Sequence, residues 1–293
     1  MKVRIILTIA IIICCIIFFI ITINPLFNIF SLSWKLDKDL VVSYGTIIGG
    51  LFGPLFSLIS FILVYLIFNE QNKQTFINKI DSDIKYLRNY VFEIKHRDPE
   101  SKIFIIGGEE TGERFFIRAK TQLDNLYNKM ITYDFLDSEN IIGATFEIFY
   151  FGVSKRTLET LKIHLCKRTD IDNVNKIIND IRKIKTKYND KIVYYCGHQG
   201  KLGHYFRQLY YIIESIDNCN LDIDKYEVAK NVRVKMSNYE QAILCYNLFT
   251  YMGKNWGEKN YINKYELIKD IPQRFLPFEP NTYFSLKFEY DDP

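Results

Sequence analysis

Residues 40–69 read LVVSYGTIIGGLFGPLFSLISFILVYLIFN, and their character decides the fold class. No charged residue interrupts them, and the apolar heart is Ile47–Phe68. A helix of about 20 such residues matches the hydrocarbon thickness of a bilayer. Toward the N-terminus, Ile5 to Trp34 is also uncharged, and Ile5–Ile23 consists of Ile, Leu, Phe, Cys, Thr and Ala. Asn24-Pro25 ends that run, because proline cannot continue a helix. The short connector Lys35-Leu-Asp-Lys-Asp39 separates the two runs. The simplest reading is a transmembrane hairpin over residues 1–68, with spans at about 5–23 and 45–68. Lys2 and Arg4 would also suit the basic start of a signal peptide. The apolar stretch is too long for one, however, and bulky Phe18, Phe19, Ile20 and Ile21 stand where a cleavage site needs small residues. An uncleaved anchor is the expectation. Lys2 and Arg4 precede span one, and Lys73, Lys79, Lys85 and Arg88 follow span two, so both termini are predicted to be cytoplasmic.

Within the second run Gly45, Gly49, Gly53 and Ser57 recur every four residues. On a helix they form a strip of small side chains, which lets helices approach closely in lipid. Two readings stay open: association into a homo-oligomer, with a pore as one form, or packing against the first span. Pro54 is expected to kink or loosen the helix. No ionisable residue occurs from Val41 to Phe68, whereas a selective ion pathway usually carries one. Any conduction would then pass through a gated or disruptive pore.

Beyond Phe68 the pattern is helical, which makes the chain mainly α. Phe76, Ile80, Ile84, Leu87, Val91 and Ile94 are spaced by three or four residues and predict a stalk helix over 69–96. Arg97-Asp-Pro99 is a break. A helical cytosolic domain is predicted over 97–271, with helices at Glu113–Thr132, Leu158–Leu165, Val174–Tyr188, Gly203–Asp217, Asp224–Met236 and Tyr239–Met252. Ile103–Ile106 reads as a strand or a helix lead-in. Ser237-Asn-Tyr-Glu240 is a capping box that predicts a helix start at Asn238. Pro272, Pro277 and Pro280 punctuate a tail, 272–293, that is predicted to be extended and to lie on the helical body.

The composition excludes several classes. With 16% aromatic residues the chain has ample core material, which rules out bulk disorder, collagen and a disulfide miniprotein. Residues 69–293 hold 34 Lys and Arg against 32 Asp and Glu, a balance that argues against nucleic acid as a direct ligand. Lys155–Lys191 is locally basic, with 11 Lys and Arg against 5 Asp and Glu, and reads best as a solvated helix face. The six cysteines show no disulfide-framework spacing and are expected to be free thiols.

No motif commits the chain to catalysis. Gly107–Gly112 superficially resembles a phosphate loop, but Glu113 and Arg114 stand where Lys and then Ser or Thr are needed. His164 and Cys166, like Cys196 and His198, are separated by one residue, and on a helix that spacing points two ligands apart. No arginine is followed four to six residues later by histidine, as in one class of toxin ribonucleases; Arg88–His96 and Arg156–His164 each leave seven between. No nucleophile elbow or paired-carboxylate motif stands out. The expectation is a protein that is not an enzyme, with no cofactor and no metal.

Three segments carry a resemblance. Gly49–Ser57 opens a membrane helix leading into a stalk. Gly203-His-Tyr-Phe-Arg-Gln-Leu-Tyr210 is followed by Ile216-Asp217. Arg233-Val-Lys-Met-Ser-Asn-Tyr-Glu240 is followed by Leu244-Cys-Tyr-Asn247. In this order, over roughly 40–270, the chain resembles the putative phage abortive infection family of two-span bacterial membrane proteins, and the two-span effectors of some retron defence systems look similar. Lys235 and Met236 depart from the expected Gln-Leu pair, and 135–195 carries no resemblance. The resemblance implies antiviral defence at the bacterial inner membrane: a cytosolic part senses infection, and the transmembrane part disrupts the membrane. It also implies a partner, either a defence-system protein or a phage-derived trigger. The alternatives are a membrane-tethered, nuclease-like enzyme and a membrane scaffold for a partner such as a reverse transcriptase. The family-like polar residues are His204, Tyr205, Arg207, Tyr210, Asp217, Arg233, Ser237, Glu240, Tyr246 and Asn247. They read either as a structural network or as a ligand or partner site. A buried Arg207 or Arg233 would need a carboxylate, for which Glu240 and Asp217 are the candidates.

Overall fold

Pro54 has no N–H to give to the carbonyl four residues back, and Gly49 and Gly50 weaken the helix just before it. The chain responds by winding more widely there. In the computed structural model an α-helix, α1 (Lys38–Ile47), passes into a π segment (Ile48–Phe52) and then into the long helix α2 (Gly53–Glu93). The structure describes residues 38–94, 112–183, 186–188, 191–193, 197–272 and 274–291. The first predicted span, the Arg97-Asp-Pro99 break, the run at 103–106 and Cys196 lie outside these residues.

The chain divides into two units, one ending at Thr75 and one running from Phe76 to Pro293. In the first unit the apolar side chains of α2 are exposed, with Leu58 at 59%, Phe61 at 70% and Val64 at 64%. This is one helix long and apolar enough to cross a membrane. Among the described residues, a Cβ at Gly45, Gly49 or Gly53 would meet nothing within 4 Å. The Ser57 hydroxyl donates to the Gly53 carbonyl at 2.9 Å.

The second unit is mainly helical. Ile80, Ile84, Leu87 and Val91 of α2 are all buried. After α3 (Gly112–Met130) comes α4 (Ser138–Phe151), which has no counterpart among the predicted helices. It is buried from Ile141 to Phe151 and packs against α3, α5 (Leu158–Leu165), and two later helices, α7 (Gln199–Asp217) and α9 (Asn238–Leu248). A helix wrapped on all sides shows no amphipathic stripe, and its Ile, Phe, Thr and Tyr residues favour strand. Its start is marked locally, since Asp137 accepts a hydrogen bond from the Asn140 N–H at 2.7 Å.

Helix α6 (Ile171–Lys183) buries Val174, Ile177, Ile178 and Ile181 and stops short of the predicted Tyr188. Thr186–Tyr188 (β1) instead pairs antiparallel with Lys191–Val193 (β2), Thr186 opposite Val193. Helices α7, α8 (Lys225–Val234) and α9 follow. At the start of α9 the Ser237 and Glu240 side chains cap each other's backbone, forming the capping box. Two short helices, α10 (Lys254–Glu258) and α11 (Tyr261–Lys264), bury Trp256 and Tyr261. The tail is irregular, with 3-10 turns at Pro280–Thr282 and Glu289–Asp291 rather than one extended run. It buries Leu286 and Phe288 and sets Phe278 edge-on to Tyr246 and Phe249.

Candidate functional site

Helical spacing along α7 sends Tyr205, Leu209, Ile212 and Ile216 into the core. The Tyr205 hydroxyl donates to Glu240 Oε2 at 2.7 Å. Glu240 is 1% exposed. Its Oε1 also accepts from the Ser237 N–H at 3.2 Å and the Ser237 hydroxyl at 3.0 Å. Arg88, from α2, grips the same carboxylate with both terminal guanidinium nitrogens, at 2.8 and 3.1 Å. It donates as well to the Lys235 carbonyl at the end of α8. Burial pushes the Glu240 carboxyl up, opposed by Arg88, Tyr205 and Ser237. Burial, with Glu240 beside it, raises the Tyr205 phenol. A carboxylate used this way locks α2, α7, α8 and α9 together, and its satisfied lone pairs leave little to offer a ligand.

The other family-like residues separate into distinct neighbourhoods. Arg233 is buried, and its partners are neither Glu240 nor Asp217. It donates to the Glu266 carbonyl at 3.1 Å and lies 3.5 Å from the carboxylates of Glu266 and Asp270. Asp217 is taken by Lys264 and by the Tyr265 hydroxyl, the latter at 2.7 Å. The Tyr246 hydroxyl donates to Asp124 at 3.3 Å. His204 Nε2 lies 3.4 Å from the Tyr86 hydroxyl, and its ring meets Tyr90 edge-on at 4.5 Å. These pairings join helices far apart in sequence, so local spacing could not assign them.

Arg207, Tyr210 and Asn247 come together instead at an open cavity of about 310 Å³. Arg207 is exposed, because two residues beyond inward-facing Tyr205 the helix has turned it away from the core. Its guanidinium forms no hydrogen bond or ion pair among the described residues. Tyr150 of α4 approaches from the opposite wall. Its phenol is raised by burial and pulled back by the Arg207 charge. Gly203 makes this approach possible: a Cβ there would stand 2.8 Å from the Tyr150 hydroxyl and 3.4 Å from Arg207 Nη1. Trp256 closes the floor, edge-on to Tyr210 at 5.1 Å. Asn247 is 2% exposed. Its Oδ1 accepts from the Thr250 hydroxyl at 3.1 Å, and its Nδ2 has no partner among the described residues.

Sequence reasoning missed Tyr150, Gly203, Phe206, Met252, Asn255 and Trp256 as members of this cavity. Tyr150 was hidden with the helix that carries it.

His164 and His198 serve the core. His198 Nε2 donates to Gln122 Oε1 at 2.7 Å, and the ring packs on Phe149 and is pushed down to about 3 by burial, with Lys201 adding to the effect. His164 packs on Phe151, and burial lowers it as well. Beside it, Arg168 makes a two-pronged pair with buried Glu147, at 2.9 Å on each side, and donates to the Phe249 carbonyl at 2.7 Å. Among the described residues no cluster of His, Cys, Asp and Glu is arranged to hold a metal.

Residues 197–276 match the family model described as "Putative phage abortive infection protein". The matched segment contains α7 through α11, and with them every wall of the cavity except Tyr150. It also contains Glu240 and the Arg233–Glu266–Asp270 cluster. No curated protein and no solved structure matches the chain.

Proposed function

We propose that this protein is an abortive-infection effector anchored in the bacterial inner membrane, both termini cytoplasmic, that stops an infected cell by disrupting that membrane. The helical body is the sensor, responding to a phage-derived trigger or a defence-system partner protein. The two apolar runs form the hairpin, and the strip of Gly45, Gly49, Gly53 and Ser57 is the contact through which copies associate. The effector acts without catalysis.

The observation that carries this reading is the placement of the family match. It falls on the helices that build the open cavity, in a chain that also holds an exposed apolar helix of membrane-spanning length. Exposed Phe, Leu and Val side chains along such a helix favour lipid over water by roughly 25 cal/mol per Å² of apolar surface.

Cells expressing the protein, infected with phage and stained with a potential-sensitive dye, provide the test. Membrane potential is expected to collapse before lysis in wild type and to persist in Gly49→Leu. Arrested growth with an intact potential would overturn the effector mechanism.

A further inference from the structure

We propose that the cavity at Arg207 binds a mononucleotide, with its single phosphate at the arginine and its base among the aromatic walls. The assignment deepens the sensor reading above and rests on it for its biological role, though not for binding itself.

The cavity supplies one cation and no carboxylate among its lining residues. With no carboxylate, imidazole or thiolate and with a cation in the wall, the lining disfavours a metal ion. It also excludes a free amino acid, whose ammonium would be left without a counter-charge. A guanidinium with no protein partner is a fork of donors suited to a phosphate. Across from it, the Tyr150 hydroxyl forms no hydrogen bond among the described residues and points to the same spot, as the shared proximity to Gly203 shows. Deeper in, Phe206, Tyr210 and Trp256 offer ring faces and edges, and the open end of the buried Asn247 amide meets them. That open end is the amide N–H, which can donate to an acceptor on the edge of a planar heterocycle, while aromatic faces hold the plane. A volume of about 310 Å³ sits at the small end of ligand pockets, so the ligand is a single nucleotide and not a strand. The near balance of charge over residues 69–293 likewise gives no track for a polyanion.

The test uses the full chain in lipid nanodiscs, with calorimetry and Trp256 fluorescence read against ribo- and deoxyribonucleoside monophosphates, the matching nucleosides and inorganic phosphate. At least one monophosphate is expected to bind with one site per chain. Arg207→Gln is expected to weaken it by about tenfold or more, the scale of a lost hydrogen bond to a charged group. Gly203→Ala is expected to weaken it similarly by crowding Tyr150 and Arg207. The matching nucleoside is expected to bind at least about tenfold more weakly. Preference for ribose or deoxyribose then separates a cellular signal from a product of DNA breakdown. Arg207 is exposed, so its variant should melt with wild type. Absence of binding by every monophosphate at millimolar concentration overturns the proposal, as does affinity unchanged by both substitutions, or inorganic phosphate competing as well as the nucleotide. A potential that collapses on infection in a protein that binds no monophosphate overturns this inference alone.

Discussion

Arg88 and Glu240 stand 152 positions apart in the chain and meet in a two-pronged ion pair on a carboxylate that is 1% exposed. The pair is the point where α2 is tied to the family-matched helices. Removing one partner strands the other charge, which costs about 3–5 kcal/mol, whereas replacing both by apolar groups costs less. Arg88→Met is expected to lower the melting temperature sharply, and Glu240→Leu likewise. The double variant should recover part of the loss. Strictly additive losses in thermal unfolding would show that the two side chains do not act as a pair.

Gly143 lies beneath the Arg168 guanidinium, which occupies the space a Cβ would need. Gly143→Ala would therefore displace Arg168 from Glu147, a buried pair at 2.9 Å. A loss of roughly 2–4 kcal/mol is expected, combining overpacking with a weakened buried pair. Thermal unfolding reads it, and a variant as stable as wild type would place Arg168 elsewhere.

His198 is held down to about 3 by burial, and His164 is lowered too. Unfolded, both titrate near pH 6.5. Between those values the unfolded chain binds more protons, so the stability these neutral rings contribute above about pH 6.5 is lost as pH falls toward 3. Between pH 6.5 and 5 the His198 share is up to about 2 kcal/mol. Melting temperatures across that range should fall less steeply in His198→Gln, and an unaltered slope would assign the acid sensitivity to other groups.

Phe61 is 70% exposed on the apolar part of α2. Lysine near the centre of a membrane helix costs about 2.5–3.5 kcal/mol on insertion scales. Phe61→Lys is expected to reduce the protein retained in membranes after an alkaline carbonate wash, whereas Phe92→Lys, on an exposed face of the second unit, should not. Equal retention of the two would argue against lipid around α2.

Two predicted helices show why legibility varied. The α9 start could be read because a capping box is a contact over three residues, and its geometry follows from the local chain. The stalk was equally readable, because in the second half of α2 the buried Ile80, Ile84, Leu87 and Val91 recur at helical spacing in a mostly polar, mixed-charge background. Helix α4 gave no such contrast. Buried around its whole circumference, it is apolar on every face, and periodicity has nothing to report.

The polar residues divide along the same line. Their membership in α7, α8 and α9 followed from the sequence, since helix-forming patterns and caps are set by neighbours a turn away. Their partners did not. Whether Arg207 met a carboxylate or an open cavity, and whether Glu240 was claimed by Arg233 or by Arg88, depended on which helices pack side by side. Local sequence by itself determined the apolar membrane-length helix, the helical character of the chain and the capping of α9. Only tertiary packing decided the ion pairs and the cavity, because both depend on distances between segments that no local spacing encodes.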